Sequence, residues 1–146
     1  MAMVDIKLDL AALGKVSEAA KAAALETMEA VKTDLIASQT MPFGNGTTQG
    51  SLYVTQLQQG RQVHTSLGTD TLYARFLYYE LLMLAANGSA WARRGEHKTV
   101  TAKPLNFQKG KNPNAGGHWY APYLKGGAKE SFITDTYAAR LKEHLK

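Results

Sequence analysis

The chain has 146 residues, 45% of them hydrophobic, with 17 Lys and Arg against 12 Asp and Glu, four His and no Cys. That length suits one domain with a single sizeable core, and the missing cysteine excludes a disulfide framework, a Cys-based zinc or iron–sulfur site and a thiol nucleophile. A net charge of +5 and a pI of about 9.4 point to an acidic partner, whether nucleic acid, a membrane surface or a protein.

The opening MAMVDIKLDL carries Asp5 and Asp9 where a secretion signal needs a basic start and an unbroken apolar run. No stretch approaches the roughly 18 consecutive apolar residues of a membrane helix; the longest, Leu81 to Ala86, is far short. From Leu10 to Ser38 the spacing predicts an amphipathic helix. Leu10, Leu13, Ala20, Ala24, Met28, Val31 and Leu35 recur at intervals of three, four and seven, while Glu18, Glu26 and Glu29 fall opposite. Gly14 is a candidate early break, with Ser17 an acceptable N-cap for the helix beyond it.

Met41 to Gly50, MPFGNGTTQG, cannot continue that helix and reads as an exposed loop. Two strands are expected next, Ser51 to Gln58 and Arg61 to Leu67, turning at Gln59-Gly60. In the second, Val63, Thr65 and Leu67 share one face and Gln62, His64 and Ser66 the other, the pattern of a sheet with one wet side. Asp70 to Tyr79 fits a central strand, or the start of a helix running through Glu80-Leu-Leu-Met-Leu to an Asn87-Gly88 cap.

Lys98 to Lys103 alternates as a further strand ending at Pro104. Gln108 to Gly117 reads as a polar loop, mobile unless a partner orders it, after which Trp119, Tyr120 and Tyr123 return the chain to the core. Lys129 to Lys146 is an amphipathic helix with Ile133, Tyr137, Leu141 and Leu145 on one stripe. The fold class expected for residues 1–146 is therefore α+β in a single domain. Long N-terminal and C-terminal helices pack on a mostly antiparallel sheet in two layers, with long loops between elements.

The catalytic inventory is thin. His64, His97, His118 and His144 form no His-Glu-x-x-His pattern, and neither a Gly-x-Ser-x-Gly elbow nor a Walker A loop is present. The residues thus suggest no enzyme, no metal site and no cofactor. Arg93, Arg94, Lys98, Lys103, Lys109 and Lys111 crowd into one quarter of the chain, interleaved with Trp91, Phe107 and Trp119. Such a cluster suits a nucleic-acid-binding module or a surface that docks an acidic partner.

Three ordered stretches resemble a family of tailed-phage virion proteins, the minor capsid proteins of the head-to-tail junction. The helix followed by MPFGNGTTQGS is similar to the family's Pro-[Phe/Tyr]-x-x-Gly-x-Leu-x-x-Ser at Pro42, Phe43, Gly46 and Ser51, with Thr48 where Leu is usual. DTLYARFLYYE resembles its Tyr-Ala-Arg and Tyr pair at Tyr73, Ala74, Arg75, Tyr78 and Tyr79. NPNAGGHWYAPYLKG is similar to its Asn-Pro-x-Ala and Trp segment at Asn112, Pro113, Ala115 and Trp119. The stretch from Leu84 to Val100 is longer than that pattern.

The resemblance implies a non-enzymatic ring subunit of the head-tail connector, neck or tail-completion group, with no cofactor. Its partners are further copies of itself and other neck, connector and tail proteins around the DNA channel. The location implied is the virion, assembled in the host cytoplasm, with no membrane contact. Pro42, Phe43, Gly46, Gly50, Tyr73, Arg75, Asn112, Pro113 and Trp119 become candidate loop or subunit contacts. The six basic residues from Arg93 to Lys111 become candidate contacts to the DNA channel or to an acidic partner.

Overall fold

A computed structural model describes residues 4–9, 17–43, 46–71, 73–89, 92–107 and 109–146. Its elements are β1 (Val4–Asp9), α1 (Ser17–Ser38), the one-turn α2 (Thr47–Gly50), β2 (Leu52–Gln59), β3 (Gln62–Thr69), the short α3 (Ala74–Tyr78), β4 (Leu81–Ala85), β5 (Lys98–Pro104), a 3₁₀ turn at Ala121–Tyr123, and α4 (Phe132–His144). Two antiparallel sheets form, one of order β1-β3-β2 and one pairing β4 with β5. Helices and antiparallel strands together make an α+β fold.

Periodicity explains α1 and the sheet beneath it. Ala20, Ala24, Met28, Val31 and Leu35 are all buried, and they meet Val4, Leu52 and Leu67 from the three-stranded sheet. Burying a side chain of the Val, Leu or Met class contributes about 1.5–3 kcal/mol, so this stripe is the main apolar seam between the layers. The expected start at Leu10 and the stripe positions Leu10 and Leu13 lie outside the described residues. β2 and β3 turn through Gly60-Arg61, one residue later than the sequence suggests, with Gly60 at φ +61°, a value that glycine adopts without steric cost.

Several expectations are corrected. The segment Val4–Asp9, to which the sequence reading assigns no element, forms β1, with Val4 turned inward and Asp5, Lys7 and Asp9 exposed. Met41 to Gly50 is not simply an exposed loop, because Met41 and Thr48 are buried and residues 47–50 make a helical turn. Asp70 to Tyr79 is not a strand. The helical alternative holds only for 74–78, because Glu80 takes a left-handed φ of +57° and sends the chain into β4. Asn87-Gly88 then closes a turn after β4, with the Gly88 amide on the Ala85 carbonyl at 2.9 Å.

α4 packs chiefly on α1 rather than on a sheet, so α1 has the sheet on one side and a helix on the other. Its stripe of Ile133, Tyr137 and Leu141 is only half-buried, and Leu145 is exposed. Polar contacts supplement that thin seam. Asp34 of α1 accepts from the Tyr123 hydroxyl at 2.5 Å and the Lys129 ammonium at 2.6 Å, and Glu26 meets His144 at 3.0 Å.

Burial pushes the Asp34 carboxyl up, but the bonds from Lys129 and Tyr123 outweigh it and hold the group below the ordinary carboxylate value. Its stabilising effect is therefore full at neutral pH and is lost as pH falls below about 4, where the unfolded chain takes up the proton first. Asp34→Asn is expected to cost about 1–2 kcal/mol at pH 7 in urea unfolding, Lys129 being partly screened by solvent. The variant should also show a shallower loss of stability on acidification than the parent.

Candidate functional site

The three sequence motifs meet inside the subunit. After Ser38, Gln39 takes a left-handed φ of +56° and ends α1, leaving carbonyls without helical partners. The segment 112–116 supplies donors: Asn114 Nδ2 to the Ser38 carbonyl at 3.1 Å, the Gly116 amide to Thr40 at 3.0 Å, and Asn112 Nδ2 to Met41 at 2.7 Å. Asn112 Nδ2 also reaches Gln49 Oε1 at 2.9 Å, so one buried amide joins the end of α1 to α2. The loop expected to need a partner is thus ordered from 112 onward by its own chain.

The same loop continues into an aromatic cluster. The His118 amide donates to the Tyr78 carbonyl at 2.9 Å, and Trp119 stands edge-on to Tyr78 with ring centroids 4.9 Å apart. Tyr120 lies 5.3 Å from Tyr78, and the exposed His118 ring meets both Tyr78 and Tyr79. Such edge-on pairs favour the geometry beyond simple burial. Burial holds the Tyr78 and Tyr120 hydroxyls above the ordinary tyrosine range, so both stay neutral at physiological pH.

This arrangement sorts the candidate contacts. Trp119 is 2% exposed and Asn112 5%. Both side chains pack inside the fold, where they act as loop and core residues and offer little surface to a neighbour. Pro42 and Phe43 are half-buried; the Phe43 ring lies beneath Gly46, which has φ +86° and donates to the Phe43 carbonyl at 2.5 Å. Gly50, Pro113, Tyr73 and Arg75 are exposed, and Arg75 sits 4.9 Å over the Phe76 ring.

From Glu80 the chain leaves the body as a hairpin. β4 touches α3, and no other described element packs closely on β4 or β5. Thr101 Oγ1 bonds the Leu82 carbonyl at 2.9 Å, and the register shifts between Leu81 and Met83. Beyond the strands, a turn closes with the Glu96 amide on the Arg93 carbonyl at 2.9 Å, while Glu96 Oε2 accepts from the Arg93 amide. Every residue from 93 to 100 is exposed. At about 3.3 Å per residue the seven residues of β5 reach roughly 20 Å.

Arg93, Arg94, Lys98 and Lys103 lie on this arm, all exposed, with Lys109 and Lys111 exposed just after it. Between residues 86 and 111 six Lys and Arg oppose one Glu, so this stretch carries the whole net charge of +5 and the rest of the chain is balanced, eleven against eleven. No known family, curated protein or solved structure matches this chain. An isolated two-stranded hairpin is marginal in water, and this one leaves Val100 half exposed amid like charges, features suited to contact with an acidic surface.

Among the described residues no group of three His, Asp or Glu is placed to hold a metal ion, and no helix is long and apolar enough to cross a membrane. The histidines are dispersed: His64 lies 3.9 Å from Asp5 on the outer sheet face, His144 meets Glu26, His118 stacks at the cluster, and His97 is exposed on the arm. The sequence located the basic cluster. That it forms a separate arm depends on where β4 leaves the body, for which no local residue pattern gives a signal.

Proposed function

We propose that this chain is a non-enzymatic structural subunit of a tailed-phage virion, forming a homo-oligomeric ring at the head-tail connector beside other neck and tail proteins. The observation that carries the reading is the hairpin and the stretch just after it, residues 86–111, which together gather the chain's whole excess charge beside a body closed by the three motif segments. A ring subunit needs a rigid body and an extension that meets something beyond it. An acidic patch on a neighbouring neck protein, or the DNA passing through the channel, suits the arm by charge.

The test is particle assembly with Arg93→Glu, Arg94→Glu and Lys98→Glu combined. These residues are exposed, so the purified variant should keep the parent's melting temperature. Particles assembled with it should show heads without tails in electron micrographs. Normal tailed particles, or absence of the chain from purified particles by mass spectrometry, would reject the proposal.

The charge concentration also favours a second reading, a basic module that binds nucleic acid without sequence readout. It predicts micromolar binding to duplex DNA at low salt, falling steeply as salt rises. Fluorescence anisotropy across a salt series decides it, since binding that is absent at low salt removes this reading.

A further inference from the structure

The described strands expose edges that differ in how they are guarded. Unpaired strand edges invite another strand, and proteins blunt them with charge, proline, bulges or covering elements. In the three-stranded sheet β3 is central, leaving one edge each to β1 and β2. β1 presents Asp5, Lys7 and Asp9 at every outward position. In the hairpin, β5 carries Lys98 and Lys103, while β4 has a register shift and lies against α3. β2 has none of these devices within its own sequence, although Lys21 of α1 reaches over it. Its eight residues, LYVTQLQQ, hold no charge and no proline, and they pair with β3 without interruption.

Exposed apolar surface borders that same edge on the outer face of the sheet, where the Tyr53 ring leans over Gly68 of β3. On the outer face Leu57 is 63% exposed and Tyr53 more than a third. On the helix side Lys21 of α1 overhangs β2, its carbonyl accepting from Gln56 Nε2 at 2.8 Å and its ammonium reaching Gln58 at 3.5 Å.

The geometry points to a second copy of this chain as the occupant of this edge, its own β2 laid antiparallel across a two-fold axis at Thr55. In that register Tyr53 of each copy faces Leu57 of the other, and Thr55 faces Thr55. Both pairings are cross-strand contacts that favour sheets. Centring on Gln56 sets Tyr53 against Gln59 and Leu57 against Thr55, and centring on Leu57 carries Tyr53 past the end of the partner strand. The lack of charge on β2 lets identical copies meet without repulsion, whereas a strand from a charged partner brings charge to an apolar seam. The seam is small, so a reversible dimer in the micromolar range is expected.

This contact stands apart from the ring reading. A two-fold contact closes at two, whereas a ring needs a head-to-tail contact. Sedimentation velocity of the whole chain over a concentration series should show monomer and dimer in exchange. Leu57→Lys should weaken dimerisation about tenfold or more by replacing the Leu57–Tyr53 cross-strand contact with a charge on the pairing edge, with the melting temperature unchanged. Because the chain has no cysteine, single cysteines report the register. Oxidised Thr55→Cys should give a covalent dimer and Gln59→Cys, about 25 Å from its twin in this register, should not.

A chain that stays monomeric throughout, or a dimer indifferent to Leu57→Lys, overturns the proposal. So does cross-linking between Leu57→Cys and Val100→Cys copies without any at Thr55, which assigns the edge to a neighbour's arm. Rings in micrographs that survive Leu57→Lys reject only this contact, and tailed particles that form normally with the arm variant reject only the ring reading.

Discussion

Trp119→Ala is expected to destabilise the chain by about 3–5 kcal/mol, the range for emptying a large aromatic site in a well-packed core. Trp119 is almost wholly buried, stands edge-on to Tyr78 and packs beside Tyr120, and it lies in one core with Met28, Val31, Leu35 and Met41. Removing it strips α3 and the C-terminal segment of their common surface at once. Against a typical total of about 5–15 kcal/mol, a loss of that size lowers the melting temperature by roughly 10 °C or more. Urea unfolding followed by far-UV circular dichroism measures it. Trp119→Phe, which keeps a ring against Tyr78, should cost clearly less than Trp119→Ala, whereas equal losses would mean the edge-on packing contributes little.

The sequence exposed those parts of the fold that repeat locally. The α1 stripe from Ala20 to Leu35 and the inward face of β3 at Val63, Thr65 and Leu67 are buried as their spacing predicts. β1 carries an equally plain alternation, Val4, Ile6 and Leu8 against Asp5, Lys7 and Asp9, which the charges masked. β4 is less legible, because six consecutive apolar residues from Leu81 to Ala86 fit a buried helix or a strand equally well. What decides it is the left-handed backbone at Glu80, which no propensity specifies.

The candidate site divides along the same line. Basic residues from Arg93 to Lys111 are visible by composition, since charge needs no tertiary context. Asn112 reads locally as a loop residue, and its bond to Met41 spans 71 positions of sequence. Without knowledge of that bond, an asparagine in a polar, glycine-containing stretch looks available to a partner. Trp119 is the counterexample: its place after the loop, with Tyr120 and Tyr123, reads as a return to the core, and all three are buried. Tyr73, Arg75 and Tyr79 face solvent, as does the arm from Arg93 to Val100.

Two adjacent glycines at the junction of loop, aromatic cluster and arm should respond oppositely to alanine. A Cβ at Gly117 would lie 2.6 Å from the Tyr78 carbonyl oxygen and against Glu80 Cγ, well inside van der Waals contact. The carbonyl cannot move freely, because it accepts the His118 amide at 2.9 Å, and Glu80 accepts from the Gly117 amide at 3.2 Å while holding its left-handed turn into β4. Gly117→Ala is therefore expected to cost about 1–3 kcal/mol, as overpacking does, and to loosen the base of the arm. Faster amide exchange across β4 and β5 than in the parent measures the second effect. At Gly116 a Cβ meets nothing within 4 Å, and the amide bond to Thr40 survives substitution, so Gly116→Ala should stay within about 0.5 kcal/mol of the parent. If both variants unfold alike, the loop is sensitive to backbone stiffening in general. A loss confined to Gly117→Ala places the effect in its contact with Tyr78 and Glu80, where the arm begins.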